Sequence, residues 1–138
     1  MLFIPNDSKY KKQQKGKSFC RVNKNINFFQ LKHGSIGLKA LSFGRVASKE
    51  IKTANQIMNK ILKKRGFIKI NIFPQTPISK KPLEIRMGKG KGNVHHWSCK
   101  IKAGTTLCEI QTSSITSGIK ALKAVQSRLP FKTSIILN

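Results

Sequence analysis

Acidic residues are the scarcest chemistry in this chain: Asp7, Glu50, Glu84 and Glu109 are its only carboxylates. The three glutamates stand more than twenty residues apart and Asp7 lies near the start, so a general acid–base pair would require distant convergence. Cysteine is almost as sparse. Cys20, Cys99 and Cys108 are an odd set with no CxxC spacing, which excludes a sequence-evident disulfide framework or zinc site and fits reduced thiols in a non-secretory compartment. No apolar run approaches the ~18 residues that span a bilayer. The opening MLFIPNDSKYKKQQKG has neither the continuous apolar core of a signal peptide nor the arginines of a transit peptide. The expectation is therefore a protein that starts with its working segment, has no membrane partner, needs no cofactor or metal, and is not an enzyme.

What the sequence has in abundance is positive charge. Lys and Arg number 28 against four acids, a formal net charge of +24. A compact domain carrying that charge repels itself, so a polyanion is the expected counter-charge, and nucleic acid is its commonest form. A basic peptide lying on a membrane would also carry such charge, but it would have no globular core of its own. At 138 residues the chain has the length of one domain and can bury on the order of 70% of its unfolded surface without staples. Lysine outnumbers arginine 23 to 5, and Ile, Asn and Phe are frequent; the A/T-rich codons of these residues point to an organellar genome or an A/T-rich microbe.

Residues 1–24 are polar and basic, carrying Lys9, Lys11, Lys12, Lys15, Lys17, Arg21 and Lys24 with few apolar anchors. Burial cannot offset the ordering entropy of such a segment, so it reads as an arm that orders on its partner. The remaining 25–138 reads as a single domain. INFFQL (26–31) and SIGLKALSF (35–43) have strand composition. Ser48 is the expected N-cap of a helix with Glu50 in its first turn, apolar positions Ile51, Ala54, Ile57, Met58, Ile61 and Leu62, and Gly66 as its stop. FIKINIF (67–73) alternates as a strand, and a long loop is expected over 74–96. Residues 97–102 and 106–111 suggest a hairpin turning at Ala103 and Gly104. Ser113 or Ser114 opens a second helix with Ile115, Ile119, Leu122, Val125 and Leu129 on one side, ended by Pro130, and FKTSIIL closes as a strand. The fold class is α+β: two helices packed on a mostly antiparallel sheet, an α/β sandwich with a basic arm and a glycine-rich loop.

RMGKGKGNVHHW (86–97) carries the most specific pattern. It fails the phosphate-loop pattern GxxxxGK[ST], because Gly92 follows Lys91, and Gly88, Gly90 and Gly92 do not give GxGxxG. His95 and His96 are neighbours, and on a regular strand neighbouring side chains point to opposite faces, so one metal is not expected to bind both. The glycines make better sense as clearance for backbone against a nucleic-acid chain and as positions where successive N–H groups converge on phosphate. Arg86, Lys89 and Lys91 then add charge. Met87 and Trp97 admit two readings, stacking on bases or packing beneath the loop, and Trp97 also fits as the anchor of its far end.

KPLEIRMGKGKGNVHHW (81–97) resembles the signature of the large-subunit ribosomal protein L-sixteen family. Further similarity lies in ML with Pro5, Lys9, Tyr10, Lys12, Lys15 and Gly16, in GSIGLKAL with Gly44 and Arg45, in KKRGFIKINIFP, and in LPFKT. The resemblance implies an α+β sandwich that binds large-subunit rRNA, helps organise the A-site tRNA region and neighbours other large-subunit proteins. It assigns rRNA contact to Lys9, Lys11, Lys12, Lys15, Lys17, Arg21, Lys39, Arg45, Lys81, Arg86, Lys89, Lys91 and Lys132, and places Arg86, Met87, Gly88, Lys89, Gly90, Lys91 and Gly92 nearest to tRNA. With the codon-linked composition it implies a mitochondrial ribosome, with a plastid one as the alternative. The sequence departs from the family at Lys69, usually Trp; at Asn71, usually basic; at the start of the second helix, usually acidic after a proline; and at His95 and His96, usually acidic and aromatic. An architectural DNA-binding protein of an organelle nucleoid is the competing class, since charge alone permits it.

Overall fold

Ile36, Leu38 and Ala40 alternate with Gly37 and Lys39, and this period-two pattern makes the most deeply buried strand of the molecule. The computed structural model describes residues 4, 5, 9–14, 16, 31–63 and 65–138. In chain order its elements are β1 (Ile36–Ala40), β2 (Gly44–Ala47), α1 (Ser48–Leu62), β3 (Gly66–Ile70), β4 (Thr76–Ser79), β5 (Val94–Ile101), β6 (Thr106–Thr112), α2 (Ile115–Gln126) and β7 (Thr133–Leu137). They form two antiparallel sheets, one of four strands in the order β3-β6-β1-β7 and one of three in the order β2-β5-β4. The expected α+β class is the observed one.

Pairing of Ile36 with Ile110 and of Leu38 with Cys108 stacks the apolar positions of β1 and β6 on one face. Both helices cover that face. From α1 come Ile51, Met58 and Leu62, from α2 Ala121, Leu122 and Val125, and all six are at most 3% exposed. Fully burying one such aliphatic side chain contributes roughly 1.5–3 kcal/mol, so this layer carries most of the fold's stability. Val46 of β2 and Ile101 of β5 join the same cluster and tie the smaller sheet to it.

Several local expectations need correction. The N-cap is Ala47, whose N–H donates to the Glu50 carboxylate at 2.8 Å, and Ser48 is already the first helical residue, so its hydroxyl is not the cap. Lys63, at φ 48°, provides the left-handed end of α1, and Gly66 opens β3 instead. Ser114, one of the two expected caps, is the N-cap of α2, but the helix ends at Gln126, short of Pro130. The 35–43 strand is shorter than expected: β1 ends at Ala40, and the next strand, β2, starts only at Gly44 and belongs to the other sheet. The 97–102/106–111 hairpin does not form: β5 pairs with β2 and β4, β6 with β1 and β3. The turn at Ala103–Gly104 instead carries the chain from one sheet to the other, with Gly104 N–H donating to Ala40 O at 2.7 Å. β4 lies inside the expected 74–96 loop, since Pro77 occupies an edge strand where its missing N–H costs no ladder bond. Of the expected 26–31 strand only Leu31 is described, and it is buried; the rest lies outside the described residues.

Candidate nucleic-acid interface

The three-stranded sheet presents a basic face. Arg45 of β2 and Lys100 of β5 are Cα partners, and by strand alternation they share that face with His96. The opposite face carries Val46, Cys99 and Trp97 toward the core. Trp97 is half-buried opposite the buried Pro77, so it anchors the far end of the glycine-rich loop.

That loop occupies residues 80–93 between β4 and β5. Its neck is closed by a hydrogen bond from Lys80 N–H to Asn93 O at 3.1 Å. Gly92 is forced there, because a Cβ would lie 2.6 Å from Lys80 O. The tip has a different need. Gly88, Lys89 and Gly90 have φ of 99°, 50° and 84°, and three consecutive left-handed residues are tolerable only where glycine flanks a single substituted position. A Cβ at Gly88 or Gly90 would meet nothing within 4 Å, so the tip is open to a partner. Leu83 and Met87 are 96% and 99% exposed, apolar surface that the chain itself leaves uncovered.

Of the arm, the described Lys12, Gln13 and Gly16 bond to the loop and the sheet. Lys12 Nζ donates to Lys91 O at 3.0 Å, Lys91 Nζ donates back to Gln13 O, and Arg45 Nη2 donates to Gly16 O at 2.9 Å. Lys81 Nζ reaches across the loop to Gly88 O. Thus four of the residues marked in the sequence, Lys12, Arg45, Lys81 and Lys91, act as braces, each spending donors on backbone carbonyls. Arg86 and Lys89 are exposed at the tip and hold no hydrogen bond among the described residues. Lys9 and Lys11 are exposed on the arm. Lys15, Lys17 and Arg21 lie outside the described residues. Lys39 stands on β1, on the face away from the helices, and Lys132 precedes β7 with its carbonyl accepting Leu41 N–H at 2.9 Å; both belong to the larger sheet, apart from the arm and loop.

Two features of this region were not legible in the sequence. Lys100 becomes a neighbour of Arg45 only through pairing of distant strands. The second is the histidine pair. Opposite β4, Ile78 pairs with His96 and Ser79 with Val94, leaving His95 as the extra residue of a β-bulge. The bulge re-aims the side chain, and the His95 and His96 Nδ1 atoms stand 2.8 Å apart with their rings edge to face. The expectation of opposite faces is therefore wrong here, because it assumed an unbroken strand. Among the described residues no three His, Cys, Asp or Glu side chains converge on a metal-sized site.

Elsewhere the titratable groups are structural. Burial drives the Glu109 carboxyl upward, but His33 N–H and the Asn71 amide, each donating at 2.7 Å, together with the nearby His33 charge and Lys32 N–H, outweigh it and hold the acid below the ordinary carboxylate range. Glu109 thereby clips residues 32–33 onto the sheet. The Cys108 thiol is pushed up to about 12 by burial and by the adjacent Glu109 charge, and burial also raises Cys99 against a hydrogen bond from the Phe73 backbone. Neither thiol is a ready nucleophile.

The family model for ribosomal protein L16p/L10e matches residues 5–136. Relatives described as large ribosomal subunit protein uL16 include that of Wigglesworthia glossinidia brevipalpis, 43% identical over 98% of this chain and 96% of its own length. That of Blochmanniella pennsylvanica is 42% identical over 99% and 98%, and that of Acinetobacter baylyi 39% over 98% and 96%. Identity of this extent over nearly the whole chain, on a two-helix α+β core, leaves one conclusion: the chain belongs to the ribosomal protein L16p/L10e family.

Proposed function

We propose that this protein is a structural, non-enzymatic constituent of the large ribosomal subunit that binds large-subunit rRNA through its arm, the basic face of its smaller sheet and its 80–93 loop. The observation that carries the reading is the pinned arm and loop. Lys12, Lys91 and Arg45 fix both onto one surface, while Arg86 and Lys89 remain available at the exposed tip. Lys39 and Lys132 provide a second, smaller contact on the larger sheet. The tip, from Arg86 to Gly92, lies nearest to A-site tRNA in this reading, and its exposed Met87 and Leu83 pack on nucleobases or on neighbouring subunit proteins. The finer localisation is a mitochondrial ribosome, supported by the Lys-over-Arg composition; the bacterial relatives support a bacterial cytoplasmic ribosome instead, and cell fractionation decides between them.

Affinity should come mainly from counterion release. With six to ten phosphates contacted, binding to a large-subunit rRNA transcript weakens by ~10³–10⁵ between 50 and 200 mM salt. Sedimentation of cell extract through a gradient, with and without RNase, should place the protein with the large subunit and release it on RNase treatment. Co-migration with DNA, unaffected by RNase, would refute the ribosomal reading and support the nucleoid one.

A further inference from the structure

The neck of the loop borders an open cleft of about 370 Å³ whose lining includes Lys80, Lys81, Leu83, Asn93 and His95. Small-ligand pockets begin near ~300 Å³, so the cleft has room for a phosphodiester and part of its sugar. Its lining holds cations and an amide and no carboxylate. Across the bulge, β4 offers the uncharged Ile78 and Ser79, and farther along the same sheet face stand Arg45 and Lys100. Among the described residues, the charged groups that line the cleft or stand with Arg45 on that sheet face are positive; Glu84, in the same loop, lies outside the lining.

The histidine pair stands at the edge of this cleft, with His95 in its lining and His96 in contact with His95. Two Nδ1 atoms at 2.8 Å form a hydrogen bond only if one ring donates and the other keeps a lone pair. Protonating that acceptor turns both rings into Nδ1 donors, breaks the contact and frees two N–H groups. A phosphate seated in the cleft offers those N–H groups an anionic acceptor.

We infer that this cleft seats a backbone phosphate of rRNA and that the His95–His96 pair takes up a proton as the phosphate enters, making this one contact pH-dependent. The inference rests on the rRNA-binding reading above. Arg86 and Lys89 stand on the loop tip, outside the lining of the cleft, so the proton-linked contact is separable from them.

The test is the affinity of the full chain for a large-subunit rRNA transcript at fixed ionic strength from pH 8 to pH 6, the range in which imidazoles titrate. The wild type should bind more tightly as pH falls, by at most about tenfold per pH unit, the limit when one proton is taken up with the phosphate. His95→Gln and His96→Gln should each flatten that slope, whereas His33→Gln, whose ring lies on the other sheet, should keep it. Inorganic phosphate should compete better with the transcript at pH 6 than at pH 8. A wild-type affinity that is flat with pH, or a slope that survives in His95→Gln, overturns the inference while leaving rRNA binding intact. No binding at any pH overturns both.

Discussion

The two sheets of this protein are held to their surroundings by different means. The four-stranded sheet is fixed by burial, with Ile36, Leu38 and Ile110 fully inaccessible beneath the two helices. The three-stranded sheet contributes Val46 and Ile101 to that core, but its other face, with the arm and loop, is organised by lysine and arginine side chains bonded to backbone carbonyls. Burial is insensitive to salt, whereas single cationic hydrogen bonds at the surface are individually weak. Under the proposed function, the difference places stability and polyanion binding in separate layers. Mutations should be able to damage either one alone.

The largest effect should come from breaking the apolar layer. Leu122→Ala removes a fully buried side chain and should cost about 2–5 kcal/mol, read by urea denaturation. Where the variant is still folded, the salt dependence of its rRNA binding should match the wild type, and a changed slope would show that the layers are coupled. The reciprocal variant, Arg86→Ala with Lys89→Ala, should leave the denaturation midpoint in place. It should weaken rRNA binding by roughly a hundredfold near 100 mM salt and reduce the log–log salt slope by about two, since two phosphate contacts are lost. Unchanged affinity would remove the loop tip from the interface.

An intermediate effect is expected at Glu109, where the segment that follows the arm is clipped to the larger sheet. Glu109→Gln replaces an acceptor of two hydrogen bonds with a group that can accept only at one end, at a cost of about 1–3 kcal/mol. The native acid titrates below the ordinary carboxylate range. Its contribution is therefore complete above the unfolded-state value and is lost as pH falls through the folded one. Thermal unfolding from pH 7 to pH 3 should show the wild type losing its advantage over Glu109→Gln at the acid end, and parallel curves would contradict this.

How much of this was legible in advance follows the same division. Period-two and helical spacing located the helices and most strands, because Ile36, Leu38, Ile51, Met58 and Leu122 declare their faces locally. Sheet membership was not legible. Val94–Ile101 and Thr106–Thr112 sit at ideal hairpin distance, yet each finds better partners elsewhere, a choice made by tertiary burial. The basic residues were visible one by one, but nothing in the chain distinguishes a brace such as Lys91 from an available cation such as Lys89. The bulge that brings His95 and His96 together depends on the β4 register, and Pro77 had argued against a strand there at all.

The smallest effect separates the two uses of glycine within the loop. Gly88→Ala keeps open space around the new methyl but holds it at φ 99°, a strain of roughly 1–2 kcal/mol that an exposed tip relieves by changing shape. Gly92→Ala meets the Lys80 carbonyl at 2.6 Å and must open the neck. Gly88→Ala should therefore leave the unfolding midpoint within experimental error and lower rRNA affinity severalfold, because the tip no longer presents its amides and the Lys89 side chain in the same arrangement. Gly92→Ala should lower both, and should also speed proteolysis between 80 and 93, since the Lys80–Asn93 bond that closes the neck is strained apart. Equal affinities for Gly88→Ala and the wild type would mean that the left-handed run at the tip serves the free protein alone, and that charge without backbone shape accounts for binding there.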